Sequence, residues 1–334
     1  MKTGQNICVT GGAGYIGSHA CYALAREGVS PMVVDNLSTG NRSAIRWGPL
    51  SQIDLRDTER LAQALIAHDI STVMHFAASA YVGESVADPM KYYDNNVGGM
   101  LSLLRACALA GVERFVFSSS CATYGIPDVL PVDERAEQRP INPYGESKLI
   151  CEHLLRDIAP QIGMSFAILR YFNVAGADPS GALAEQHDPE THLVPLTLFT
   201  AAGRRHVLTL FGADYDTPDG TCIRDYIHVS DLVQGHLLAL DHLEDHKGNL
   251  IVNLGSGHGV SNLQIIRTVE EITQRHVRLL TAERRVGDPP VLVADTTFAN
   301  QILGFEPQRS DIETIVTDAA RSFGLLEAQN AESA

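Results

Sequence analysis

"VTGGAGYIGSH", residues 9–19, lies between a short apolar run and a helical pattern, and its reading decides the fold. Gly12, Gly14 and Gly17 fit G-x-G-x-x-G, and Gly11, Gly14 and Gly17 fit the related G-x-x-G-x-x-G. Glycines at a strand-to-helix turn allow a tight bend and bring the backbone at a helix N-terminus against a pyrophosphate. One match is weak, and the glycines alone could serve only helix packing. The strand–turn–helix setting is the context that the mechanism requires. Asp35 ends the next strand, "PMVVD", 18 residues after Gly17. A carboxylate there accepts hydrogen bonds from the adenosine ribose and repels a 2′-phosphate, which favours NAD over NADP; taken separately it could be a cap. "IDLRD" places Asp54 within reach of the adenine, and "HFAAS" ends a strand at the cofactor crevice.

Outward from that turn, strand-like and helix-like stretches alternate. "NICVTGG", "PMVVD", "TVMHFA", "RFVFSSS" and "FAILRYFN" are short and apolar, as buried parallel strands are. Between them "YIGSHACYALAREG", "LAQALIAHD" and "MLSLLRACALAG" read as helices, the last ending at Gly111, a C-cap glycine. The expected fold is α/β: a doubly wound parallel Rossmann sheet with a smaller C-terminal α/β domain packed on it. After residue 175 the rhythm changes. "GADPSGALAEQHDPETH" reads as loop, "VPLTLFTAAGRR" as helix and "FGADYDTPDGTCIRDYIHV" as turn-rich, with no internal repeat and a frayed tail at "LEAQNAESA".

Composition narrows the function. At 334 residues, with 45% hydrophobic and 19% charged residues, the chain can bury a large core. A net charge of -15 argues against nucleic acid, which needs a basic face. No apolar run is long enough to span a bilayer, and "MKTGQNICVTGG" leads straight into a strand, so no membrane partner and no signal peptide are expected and a cytoplasmic location is the default. The six cysteines are scattered with no C-x-x-C, which suits a reducing compartment.

"NPYGESK", residues 142–148, puts Tyr144 and Lys148 on one helical face, with Pro143 suited to the first helical position. Alone, the pair could be a surface tyrosine beside a solvated lysine. Its surroundings argue otherwise. "FVFSSSCATYG" is a buried strand ending in Ser118, Ser119 and Ser120, and ligands of open parallel sheets bind at the carboxyl ends of strands. Tyr144 follows Ser120 by 24 residues, at the start of the next helix, so both face one crevice. A tyrosine of pKa ~10 is a poor base at neutral pH. A lysine ammonium and an oxidised nicotinamide would stabilise its phenolate and lower that value. Lys148 can hold the nicotinamide ribose, and Ser120 can hydrogen-bond the reacting oxygen. Together these residues point to hydride transfer.

The chain resembles the extended short-chain dehydrogenase/reductases, and within them the UDP-galactose 4-epimerases, from about Cys8 to Phe305. The resemblance rests on "GGAGYIGSH", "VGES", "YYDNNV", "SSSCATYG", "NPYGESK", "LRYFNVAGA", "DGTCIRDYIHV" and "RRVGDPP". It implies that Ser120, Tyr144 and Lys148 are catalytic and that NAD stays bound through turnover. It implies cofactor contacts from Gly11, Gly14, Tyr15, Ile16, Gly17, Asp35, Asn36, Asp54, Leu55, Phe76, Ala77, Ala78, Asn95, Ser118, Tyr144, Lys148 and Phe172. UDP-sugar contacts are implied for Ser120, Tyr144, Asn173, Leu193, Arg224, Arg285, Asp288 and Leu292. Residues 1–175 would form the NAD-binding domain and 176–334 the UDP-sugar domain, with a segment near 222–245 returning to the first. A homodimer through "MLSLLRACALA" and "SKLICEHLLRDI" is implied as well.

A UDP diphosphate needs cations, and Arg224 and Arg285 read as exposed arginines suited to bidentate phosphate contact. Surface salt bridging is the expectation for Arg204, Arg205 and Arg284. In "EQHDPETH", His187, Asp188, Glu190 and His192 have no familiar tetrahedral spacing, so no metal is expected. Ala80 replaces a lysine that some epimerases carry in the cofactor crevice, and Leu292 an aromatic that some place at the sugar pocket. Leu292 reads equally well as a core residue of "VLVAD".

The favoured function inverts C4 of UDP-glucose and UDP-galactose through a 4-keto sugar. The N-acetylglucosamine pair and the UDP-xylose/UDP-arabinose pair are alternatives. A sugar-nucleotide 4,6-dehydratase is disfavoured because Cys121 and Ala122 stand where related dehydratases carry an Asp-Glu pair. A non-catalytic dinucleotide-binding regulator would not need Ser120, Tyr144 and Lys148 together.

Overall fold

A computed structural model describes residues 6–246, 248–285 and 288–327; the tail 328–334 lies outside them. Seven parallel strands form the main sheet, in the order Leu250–Leu254, Ser165–Tyr171, Arg114–Ser118, Thr72–His75, Ile7–Thr10, Met32–Asp35 and Leu50–Gln52. The central strands are apolar because both faces are covered. On one face Val73, Phe115 and Ile168 pack with Leu61, Leu103 and Leu155 from the helices Thr58–Ala67, Gly99–Ala110 and Pro143–Ile158. On the other, Val9, Met74 and Leu169 pack with Leu24, Leu240 and Ala299 from Tyr15–Arg26, Val229–His246 and Thr297–Leu303. Helices on both faces make the sheet doubly wound, as expected.

Local signals hold where they were clear. Asn142 accepts from Gly145 N at 2.9 Å and Pro143 is the first residue of its helix. Gly111 ends the helix Gly99–Ala110 at φ 71°, where a side chain would be strained.

The second half forms its own core from Leu198, Ile265, Val269, Ile315 and Val316 on the helices Leu193–Ala201, Asn262–Thr273 and Ile312–Ser322. Beside it lie a small sheet of Asn173–Ala175, Ile223–His228, Gly259–Ser261 and Val291–Leu292, and a two-stranded pair of Leu208–Phe211 with Leu279–Ala282. Three details differ from the sequence reading. The turn-rich stretch contains the strand Ile223–His228, whose charged residues break the apolar pattern of a strand. The return to the main sheet starts at Val229 rather than near 222, because Ile223–His228 pairs within the small sheet. It also continues further, since Leu250–Leu254 is the seventh strand.

Candidate active site

The first turn is built on close backbone approach. Gly11 has φ +74°, and a Cβ added there would stand 2.6 Å from Ala77 N. A Cβ on Gly17 would stand 2.2 Å from Gly11 O, and Gly14 N donates to that same oxygen at 3.0 Å. The G-x-x-G-x-x-G spacing is thus the one the backbone uses; Gly12 instead faces Val33. Tyr15 and Ile16 open the following helix. Phe76, Ala77 and Ala78 leave the strand Thr72–His75, with Phe76 N donating to Thr10 O at 3.0 Å.

Asp35 accepts from Ala13 N at 3.0 Å and Leu37 N at 2.8 Å, which fixes its carboxylate against the glycine turn. Burial raises its pKa while those two N–H groups oppose the rise. Asn36 donates to Asp54 at 3.1 Å, and Asp54 pairs with Arg56 at 2.8 Å. Leu55 packs against the sheet face that carries the helix Gly99–Ala110. Asn95 lies in a π-helical turn, Tyr93–Gly98, and donates to Ser79 Oγ at 3.2 Å. Such turns commonly mark functional sites.

At the carboxyl end of Arg114–Ser118 the three serines part company. Ser118 Oγ lies 2.8 Å from His236 Nε2; His236 Nδ1 faces Leu232 O at 2.9 Å and therefore carries the proton, so the serine donates. Ser119 donates to Glu152 at 2.5 Å. Ser120 Oγ accepts from Ala122 N at 3.1 Å, and its hydroxyl faces the Tyr144 phenol.

Tyr144 and Lys148 are both buried on one face of the helix Pro143–Ile158. Lys148 Nζ donates to Ser118 O at 2.8 Å and lies 6.0 Å from the Tyr144 ring centroid. Burial pushes the Tyr144 phenol up to about 12, opposed by the Ser120 hydroxyl. Burial pulls the Lys148 ammonium down to about 8, opposed by Cys151 and Glu152. In the protein alone, desolvation outweighs the Ser120 hydrogen bond; the oxidised nicotinamide that was expected to act with Lys148 on this phenol is a further charge beyond the protein's own groups.

Sequence reasoning missed the support beneath these residues. Glu152 is fully buried and takes Arg170 Nη2 at 2.7 Å and Arg170 Nε at 3.0 Å. Arg170 Nη1 donates to Tyr124 OH at 3.0 Å, and Tyr124 donates to Asn253 at 2.7 Å. The signal was present: Tyr144, Lys148 and Glu152 follow one another at intervals of four.

Arg224 and Leu292 are register neighbours on paired strands, and Asp288 lies 3.6 Å from Arg224. Arg224 is not an exposed arginine; its side chain is only 11% exposed, because strand pairing draws it inward. Arg285 is exposed and lies over the Phe211 ring at 4.1 Å. Leu292 is a core residue that shares a buried cluster with Phe172 and Cys121, the residue after Ser120. Asn173 begins the strand Asn173–Ala175 and Leu193 the helix Leu193–Ala201. Of the surface arginines, Arg284 pairs with Asp214 at 2.8 Å, whereas Arg204 and Arg205 donate to backbone carbonyls. Glu185, His187, Glu190 and His192 are brought together, which their spacing did not suggest.

Residues 7–255 match the model of the NAD dependent epimerase/dehydratase family. The chain belongs to that family. A UDP-glucose 4-epimerase of Rhizobium meliloti (strain 1021) is 50% identical over 304 residues, covering 91% of this chain and 93% of that one. The crystal structure of UDP-glucose 4-epimerase from Brucella ovis in complex with NAD is 53% identical, with a TM-score of 0.93 over 96% of this chain and 98% of that one. The UDP-glucose 4-epimerase from Bifidobacterium longum, in complex with NAD+ and UDP, is 35% identical with a TM-score of 0.92 over 96% and 98%. Family membership extends over both the glycine turn and the seventh strand of the sheet.

Proposed function

We propose that this chain is an NAD-dependent isomerase that inverts C4 of a UDP-sugar, interconverting UDP-glucose and UDP-galactose. Its relatives' names support that pair over the N-acetylhexosamine and pentose pairs. The observation that carries the site assignment is the burial of Tyr144, Lys148 and Ser120 together at the carboxyl ends of the parallel strands.

The cradle at Gly11 and Gly17, where a Cβ would strike backbone, fits the pyrophosphate of NAD, and Asp35 beside it fits the adenosine ribose. Asn36, Asp54 and Leu55 would flank the adenine, and Phe76, Ala77, Ala78, Asn95, Ser118, Lys148 and Phe172 the remainder. When bound, NAD supplies a reversible hydride acceptor for C4. Tyr144 takes the proton of the sugar 4-hydroxyl and later returns it. Ser120 donates its hydroxyl proton to the same oxygen and holds it in place through both halves of the reaction. Lys148 supplies the positive charge that offsets the phenolate. Arg224 and Arg285 hold the diphosphate, and Asn173, Leu193 and Asp288 the rest of the nucleotide sugar. Leu292 borders the sugar.

Residues 1–175 with the returning segments would bind NAD, and the remainder the UDP-sugar. Leu109, 67% exposed on the helix Gly99–Ala110, supports a homodimer through that helix and Pro143–Ile158. No described helix is long and apolar enough to cross a membrane, which is consistent with a cytoplasmic enzyme of galactose metabolism. The test is turnover of UDP-galactose to UDP-glucose by NAD-loaded protein, with no net redox change. No turnover under those conditions overturns the reading.

A further inference from the structure

The segment 176–192 folds under the first helix and gathers four metal-ligating side chains that the proposed epimerase chemistry does not use. Their spacing is E-x-H-x-x-E-x-H: Glu185, His187, Glu190 and His192. All four ligand atoms lie within 4.8 Å of one another. Glu185 Oε1 stands 3.2 Å from His187 Nδ1 and 2.8 Å from His192 Nδ1. Glu190 Oε2 stands 3.5 Å from His187 Nδ1, and Glu190 Oε1 3.0 Å from His192 Nδ1. Four donors about 2.1 Å from one tetrahedral zinc ion stand about 3.4 Å apart, the scale of these separations.

The alternative is a metal-free cluster of two protonated histidines and two carboxylates. It requires each Nδ1–H to point at an oxygen. His192 Nδ1 meets that requirement toward Glu190. His187 Nδ1 and Glu185 Oε1 do not: both are buried, and neither completes a hydrogen bond to any described residue, close as they are. Glu185 is only 4% exposed, so a carboxylate oxygen whose close neighbours are poorly aligned for a hydrogen bond is costly there. Two imidazole nitrogens and two carboxylates that converge, with His187 Nδ1 and Glu185 Oε1 poorly aligned for a hydrogen bond, are the arrangement of a cation site.

We propose that Glu185, His187, Glu190 and His192 bind a divalent transition metal of the zinc class. Two imidazoles disfavour magnesium and calcium, which take oxygen ligands. Four protein ligands form a closed, structural site rather than a catalytic one. The Tyr15 and Tyr81 rings stand edge-on to His187, at 6.1 and 6.0 Å between centroids, and cover it. His192 directly precedes the helix Leu193–Ala201, and Tyr15 OH donates to Gly176 O at 2.6 Å. The ion would therefore fasten the loop and the start of that helix beneath the glycine turn.

The test uses NAD-loaded protein, stripped with a chelator and titrated with Co²⁺. The expected result is a single equivalent bound, with the visible absorption of tetrahedral cobalt, displaced by Zn²⁺. His187→Ala and, separately, the near-isosteric Glu190→Gln should each weaken Co²⁺ binding at least as much as the about 10–100-fold lost with an outer-sphere partner. Absence of Co²⁺ binding, or binding unchanged in both variants, overturns the proposal. Circular dichroism of Glu190→Gln separates a lost ligand from a lost fold.

Discussion

Lys148, one helical turn after Tyr144, holds its ammonium 6.0 Å from the centroid of the Tyr144 ring. Burial has taken that ammonium from an ordinary 10.5 to about 8, so the charge is present below about pH 8 and is lost as pH rises through it. The wild-type kcat should fall above about pH 8. Lys148→Arg keeps its charge at any accessible pH. It should work more slowly at its optimum but lose that alkaline limb. An unchanged limb in Lys148→Arg would assign the titration to another group.

Tyr144→Phe removes the hydroxyl without changing the ring. A lost general base costs typically about 10²–10⁴-fold in rate. The variant should lose kcat on that scale while retaining NAD, read by mass spectrometry of the small molecules released on denaturation. Near-normal kcat would remove Tyr144 from the chemistry.

At the glycine turn, Gly17→Ala puts a methyl carbon 2.2 Å from Gly11 O, a backbone atom that cannot swing aside. Overpacking of this kind costs typically about 1–3 kcal/mol or more. The thermal midpoint should fall and NAD content with it. Gly83→Ala, where a Cβ would meet nothing within 4 Å, is the matched control and should keep both.

Glu152→Ala would strand the Arg170 guanidinium, whose side chain is 3% exposed. Removing one partner of a buried pair typically costs about 3–5 kcal/mol. Denaturant unfolding should show a loss of that order, and Glu152→Ala combined with Arg170→Met should recover part of it. A double variant no more stable than the single one would mean that Arg170 is not the group left unpaired.

The glycine turn and the Tyr144–Lys148 face were legible because each is set by local spacing. Periods of two, four and three residues survive in the sequence whatever packs against them. The fate of the serines was not legible. Ser118, Ser119 and Ser120 look alike, and only residues more than 30 positions away, His236 and Glu152, distinguish their roles. Arg224 was misjudged for the same reason, since its burial comes from pairing with Leu292, 68 positions on. The cluster at 185–192 was hidden by irregular backbone, where no helical or strand period predicts which side chains converge.

Leu292 gives the sharpest test of sugar range. A tyrosine in its place adds a ring and a phenol beside Phe172 and Cys121 and, at a position bordering the sugar as proposed, would crowd a 2-acetamido group more than a hydroxyl. A pocket discriminates strongly by exclusion, while a missing contact forfeits only about 1–3 kcal/mol. Any turnover of the N-acetylated pair should therefore fall far more in Leu292→Tyr than turnover of the hexose pair. Equal losses would place the gate elsewhere.

The seventh strand, Leu250–Leu254, has a consequence for how the chain is made. Its partner, Ser165–Tyr171, leaves the ribosome with one edge bare, and the strand that covers it follows only after the intervening residues 172–249. At about 5–20 residues per second, that edge stays open for several seconds. An unpaired edge is a template for pairing with another chain. A fragment ending at residue 175 would keep the edge permanently open and should precipitate, whereas one extended through Leu254 should stay in solution. For a cell making this protein, the hazard falls during synthesis rather than after it.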